Sequence, residues 1–177
     1  IFDIPESTNF IRSASYWEFA SPTAIGNIWY DNCWSFFAEN WAKKGHCVWT
    51  KERLTDDEGT PSAIFSGDPT NSKEMKGRAC QMIDLQIDKL ADQGVKYAVW
   101  GILCFSNKTF GESKEVLATL QFGENAQEGN LYEPSRVQMS FELKGDSLTK
   151  FIAYIDVEER KLVFMDANIP ACPTNPA

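Results

Sequence analysis

Residues 149–169 read TKFIAYIDVEERKLVFMDANI, two runs of aliphatic and aromatic residues interrupted by the charged break Glu158-Glu159-Arg160. Short runs of that composition, bounded by a polar break, form strands. The stretch therefore predicts a β-hairpin near the C-terminus. Just upstream, RVQMSFELKG at 136–145 alternates with period two. Successive side chains of a strand point to opposite faces, so Val137, Met139, Phe141 and Leu143 are predicted to face a core while Arg136, Gln138, Ser140 and Glu142 face water.

The same reading extends towards the N-terminus. QMIDLQIDKL at 81–90 places Ile83, Leu85 and Ile87 on one side and Asp84, Gln86 and Asp88 on the other. A helix would scatter those acids around its circumference, so a strand is predicted. VKYAVWGILCFS at 95–106 is apolar on both faces, as a central strand covered on both sides must be. Gly101 within it marks a bulge or a close approach by another backbone. EVLATLQFG at 115–123 fits a strand or a short helix, and SFFAENWAKKG at 35–45 fits a helical turn closed by Gly45. The breaks DDEGTPS, SGDPTNS, GENAQEGN and LKGDS fall between these segments. The predicted class is all-β, a two-sheet β-sandwich with short helical turns in the connections.

The chain has 177 residues, enough for one core, and its 17 Lys and Arg against 25 Asp and Glu give a net charge of -8. A nucleic-acid partner is excluded on that balance, because phosphate binding needs a basic footprint. An anionic lipid surface is disfavoured for the same reason. No apolar run approaches the roughly 18 residues of a membrane-spanning helix, so no membrane partner is expected. The opening at Ile1 and the Pro-rich PACPTNPA tail suggest a domain cut from a longer protein. The five cysteines, Cys33, Cys47, Cys80, Cys104 and Cys172, are scattered and odd in number, which favours reduced thiols and a cytoplasmic location over a disulfide framework. The sequon Asn107-Lys108-Thr109 pulls the other way.

Catalytic signatures are sparse. His46 is the single histidine and Cys47 follows it directly, but neighbours on a strand point apart, which argues against a Cys-His pair. There is no nucleophile elbow and no phosphate-binding loop. Paired carboxylates for glycoside hydrolysis have no distinguishing spacing among so many acids. The chain is expected not to be an enzyme. Five of the six Trp, at 17, 29, 34, 41 and 49, crowd the first third; core packing is the main expectation for them, sugar stacking the alternative. The loop after Phe65 carries oxygen donors suited to calcium, which takes six to eight of them: Ser66, Asp68, Thr70, Asn71, Ser72 and Glu74, with Asp31 a carboxylate from an earlier strand.

Several of these pieces occur in an order that resembles the TerD-like domain of tellurium-resistance and stress-response proteins. The pieces are Ser66-Gly67-Asp68, Ile83-Asp84-Leu85-Gln86-Ile87, Gly94-Val95-Lys96-Tyr97-Ala98-Val99 and Phe110, followed by EGNLYEPSRVQMSFEL and AYIDVEERKLVFMDANI. The resemblance spans 25–170, leaving 1–24 as an N-terminal extension or first strand and 171–177 as a tail or linker. It implies a calcium-binding β-sandwich without an active site of its own, used as a binding or scaffold module.

The chain departs from that pattern where the resemblance implies an acidic run before the Ile-Asp-Leu strand. Here the run is Gly77-Arg78-Ala79-Cys80-Gln81, and an early acidic strand is reduced to Asp31 in IWYDNCWSFF. A guanidinium near a divalent ion opposes its binding directly. The expectation is a non-catalytic, cytoplasmic scaffold domain that engages protein partners or other domains of a longer chain. Its calcium binding is expected to be weak or lost, with Asp68, Asn71, Glu74 and Asp31 as ligands for any ion it still holds. The alternative is an extracellular carbohydrate-binding β-sandwich using exposed aromatics.

Overall fold

In the computed structural model, which describes residues 1–20, 28–65, 77–123 and 134–170, two six-stranded sheets face each other. The strands are β1 (Phe2–Asp3), β2 (Phe10–Glu18), β3 (Tyr30–Phe37), β4 (Lys43–Cys47), β5 (Arg53–Thr55), β6 (Pro61–Phe65), β7 (Arg78–Gln86), β8 (Tyr97–Cys104), β9 (Glu115–Gly123), β10 (Met139–Glu142), β11 (Thr149–Asp156) and β12 (Lys161–Ile169), and a helix, α1, spans Ile87–Asp92. The first sheet runs β1-β12-β11-β8-β3-β4 and the second β10-β9-β2-β7-β6-β5. Every described strand pairing is antiparallel. The all-β two-sheet sandwich read from the alternation is the fold observed.

The C-terminal hairpin forms as read, with Asp156 opposite Lys161 beside the turn. Arg160 in that turn has a positive φ of 52°, and its guanidinium donates to the carbonyls of Pro5 and Thr8, pinning the N-terminal segment to the first sheet. β8 lies between β11 and β3 at the middle of its sheet, as its two-sided apolarity requires. The irregularity predicted at Gly101 lies in the neighbouring strand: register shifts between Phe151 and Ala153, and the Phe151 ring covers Gly101. β2 is a central strand of the second sheet, paired with β7 and β9 along all nine residues. Residues 115–123 form a strand.

Two local readings are corrected. Residues 81–90 are not one strand: β7 stops at Gln86 and α1 begins at Ile87. Asn9 ends the ladder by accepting the N–H of Ile87 on its backbone carbonyl and that of Asp88 on Oδ1, and Gly94, at φ 72°, closes the helix. Ile83, Ile87 and Leu90 satisfy the helical spacing as well as the core, so period two alone could not place the break. Residues 35–45 hold a hairpin turn, not a helical one. β3 continues to Phe37, the Ala38 N–H donates to Ala42 O, and Gly45 lies inside β4.

The core is rich in large aromatics. Trp17, Trp34, Trp100, Tyr30, Phe36 and Phe110 are fully buried, and the register partners Trp34 and Trp100 stack with centroids 5.7 Å apart. Each such ring removed from water contributes roughly 2 kcal/mol or more.

Candidate functional site

Strand alternation carries polar groups into the space between the sheets. Tyr30, Asn32, Trp34 and Phe36 share the inward face of β3 and are all fully buried. Asn32 is thus a primary amide in an apolar core, and each of its atoms needs a partner there. Its Nδ2 donates to the carbonyl and the hydroxyl of Ser13, both at 3.0 Å, and its Oδ1 accepts the indole N–H of Trp100 at 2.8 Å. The Ser13 hydroxyl also accepts the indole N–H of Trp34 at 2.8 Å and donates to Ile83 O. Ser15 donates to Tyr30 O at 2.6 Å. These bonds tie β2, β3, β7 and β8 across the two layers.

Asp31 and Gln81 lie at the margin of this network. β4 pairs with β3 only from Trp34 onward, which leaves the Asn32 backbone N–H without a ladder partner on that edge. Gln81, on β7 of the other sheet, supplies one. Its Oε1 accepts the Asn32 N–H at 2.9 Å while its Nε2 donates to Asp31 Oδ1 at 2.9 Å. Only the oxygen can accept an N–H, so the two bonds together fix the orientation of the amide. Gln81 therefore turns its NH₂ group towards the carboxylate. Asp31 itself is buried, with 4% of its surface exposed.

Of the four candidate calcium ligands, Asp31 alone lies within the described residues. A hard cation needs oxygens converging on it. At Asp31 Oδ1 the neighbouring group is instead an amide donor, Gln81 Nε2. Among the described residues, no three acidic, histidine or cysteine side chains are grouped to hold a metal. Asp68, Asn71 and Glu74 lie outside the described residues. Arg78 opens β7 opposite Glu18, whose carboxyl is held below its ordinary value chiefly by the hydrogen bond from Lys114.

The second sheet organises an ion pair not foreseen in the sequence. Arg12, 4% exposed, forms a two-pronged ion pair with its register partner Asp84 at 2.6 and 2.7 Å. Burial pushes the Cys33 thiol up to about 12 and raises that of Cys47 as well. His46 is half-buried, and burial together with Lys43 and Lys51 lowers its pKa. The phenol of Tyr30, pushed up to about 12 by burial, donates to Thr109 O or Ser113 Oγ inside the fold. A polar groove of about 410 Å³ between β5 and α1 is flanked by Lys44, Asp56, Asp57 and Asp92. Asp56 is committed there to the backbone N–H groups of Glu58 and Thr60.

The six Trp divide by exposure. Trp17, Trp34 and Trp100 are core, Trp29 is partly buried against it, and Trp41 is 54% and Trp49 37% exposed. Trp41 lies flat on Tyr97 with centroids 4.2 Å apart and planes 11° from parallel. Trp49 meets Phe105 edge to face.

Comparison with solved structures places this architecture. A protein of unknown function, SAV2460, superposes with a TM-score of 0.67 at 13% identity, over 95% of this chain and 94% of that one. A homologue of the telluride resistance protein TerD, SCO6318 from Streptomyces coelicolor A3(2), superposes with a TM-score of 0.63 at 12% identity, over 94% of this chain and 93% of that one. The fold is TerD-like. No protein-family profile matches the sequence, and no curated protein matches it. At such low identity the TerD-like likeness is one of architecture, over 94% of this chain.

Proposed function

We propose that this chain is a non-catalytic binding domain of the TerD-like, stress-response kind. In this reading it is a cytoplasmic scaffold engaging protein partners or neighbouring domains of a longer chain, with calcium binding weakened or lost. The observation that carries it is the Asp31–Gln81 contact. The resemblance assigns acidic character to both the early strand and the run before Ile83-Asp84-Leu85, and the fold brings one residue from each together. What meets there is a carboxylate and an amide N–H rather than two carboxylates. The buried, high-pKa thiols of Cys33 and Cys47 and the commitment of Asn32 to Ser13 and Trp100 support the non-catalytic part of the reading.

Isothermal titration of calcium into chelator-stripped protein tests it. No binding tighter than micromolar is expected. Tighter binding would overturn the loss of calcium and place the ligands in the segment holding Asp68, Asn71 and Glu74. A count of free thiols without reductant tests the compartment: all five free fits the cytoplasmic reading, and disulfides contradict it.

A further inference from the structure

We propose that the outward face of the first sheet docks a second copy of this chain, so that two molecules stack sheet on sheet about a two-fold axis. The inference goes beyond the binding role above and uses neither its calcium part nor its non-catalytic part. Either reading can fail alone.

Because Tyr30, Asn32, Trp34 and Phe36 point inward along β3, Cys33, Ser35 and Phe37 point out. Ladder partners share a face, and the register carries this one across the sheet. Ser35 stands in a row with Val99, Tyr154 and Val163. Cys33 stands in the next row with Gly101, Phe151 and Ala167. Neither row holds a Lys, Arg, Asp or Glu, in a chain that carries 17 basic and 25 acidic residues. At one end of these rows Trp41, 54% exposed, lies on Tyr97, and Tyr154 meets Tyr97 edge-on at 6.0 Å.

The result is a continuous apolar and aromatic surface on the side of the sheet away from the core. Val99, Phe151, Tyr154 and Val163 are half-buried there, and no described strand or helix from outside the sheet is seated on them. An antiparallel sheet with one wet face puts polar side chains on it, whereas a strand apolar on both faces is covered on both. β8 is of the second kind, with Tyr97, Val99 and Gly101 outward and Ala98, Trp100 and Ile102 inward.

The size of the face says what covers it. Five strands, from β12 across to β4, lie about 4.8 Å apart and run about seven residues at roughly 3.4 Å each, an area on the order of 600 Å². Two copies together would bury on the order of 1,200 Å², the lower end of stable protein–protein interfaces. A small ligand would leave most of the face wet. Charge selects the copy among protein partners: a different protein is recognised by an acidic chain through complementary charges, and these rows offer none. Two chains of net charge -8 repel, and an uncharged face is where they approach at least cost. A second copy supplies the matching surface by symmetry, and stacking at about 10 Å repeats the packing that the sheet already makes with its partner sheet.

The test is sedimentation velocity of the whole chain from about 1 to about 300 µM, a range that brackets a micromolar dimer. The mass is expected to rise with concentration from 20.0 kDa towards twice that value. Val99→Lys and Tyr154→Glu each set a charge in the middle of the face and are expected to weaken association at least about tenfold. Ser140→Lys, at an exposed position of β10 in the other sheet, is expected to leave it unchanged. Near-ultraviolet circular dichroism of the buried Trp34–Trp100 stack reports folding of each variant, and Val163→Lys, in the same row, replaces either central variant that loses it. The proposal is overturned if the wild type stays at 20.0 kDa throughout, or if the charged variants leave the dimer intact. It is overturned equally if Met165→Lys on β12 abolishes association and they do not, which would make the contact a pairing of strand edges.

Discussion

Gln81 donates an amide N–H to the buried carboxylate of Asp31 across the gap between the two sheets, at 2.9 Å. A neutral donor thereby occupies one lone pair of the single candidate calcium ligand among the described residues. Gln81→Glu would set two carboxylates face to face there and remove the donor. An uncompensated buried charge costs about 3–5 kcal/mol, so a marked drop in the urea midpoint is expected. Added calcium should then restore part of the loss in the variant and do little to the wild type, because only the variant offers two converging carboxylates. If calcium leaves the melting temperature of Gln81→Glu unmoved, the corner is not a cation position converted to a hydrogen bond.

The amide of Asn32 holds the indole N–H of Trp100 at 2.8 Å in a fully buried site. Asn32→Ala would leave that donor and the Ser13 hydroxyl short of a partner and open a small void. An orphaned buried donor costs about 1–3 kcal/mol before the void is counted. Asn32→Ala is therefore expected to be strongly destabilising in chemical denaturation, while Ser140→Ala on the exposed side of β10 stays within about 0.5 kcal/mol. Equal effects at the two sites would mean the inter-sheet network contributes nothing.

Gly101 has room for hydrogen alone on its outward side. A Cβ there would lie 3.0 Å from Cδ1 and 3.2 Å from Cε1 of Phe151. Overpacking of this kind costs about 1–3 kcal/mol. Gly101→Ala is expected to destabilise, and Phe151→Leu to relieve part of that cost, so the double variant should be more stable than the sum of the singles implies. Strict additivity in a double-mutant cycle would show that the ring moves aside freely.

What was readable in advance follows from which physical signals are local. Alternation in 136–145 and 149–169 reports a half-buried surface directly, and the double-sided apolarity of 97–104 reports a central strand, so the sandwich followed. Where two periods agree, as at Ile83, Ile87 and Leu90, the strand-to-helix break depended on Asn9, which is 78 residues before Ile87 and leaves no mark on the segment itself. The β3–β4 turn escaped for a similar reason: Trp41 in a left-handed conformation is stabilised by Tyr97 from a distant strand. Alternation sets Asp84 on the face opposite Ile83, and Arg12, 72 residues earlier, partners it there in the sheet. The meeting of Asp31 with Gln81 was signalled only by the pairing of two short segments within the TerD-like resemblance, since an inward Gln on a strand reads as an ordinary polar residue.

His46 offers a clean titration because it is the only histidine. Burial is the larger cause of its lowered pKa, with Lys43 and Lys51 adding to it, so the folded state binds the proton less readily than the unfolded chain, whose value is near 6.5. Stability therefore rises with pH across this window: the contribution is fully present above 6.5 and is lost as pH falls through the folded-state value. Glu18 and Glu112, held below their ordinary 4.5, lose their contributions as pH falls from 4.5 through their folded-state values. Urea midpoints measured on both sides of 6.5 should fall with acidification in the wild type and stay flatter in His46→Gln. Parallel curves for the two proteins would mean that His46 is as accessible to protons in the folded chain as in the unfolded one, and that the lysines beside it exert no effective field.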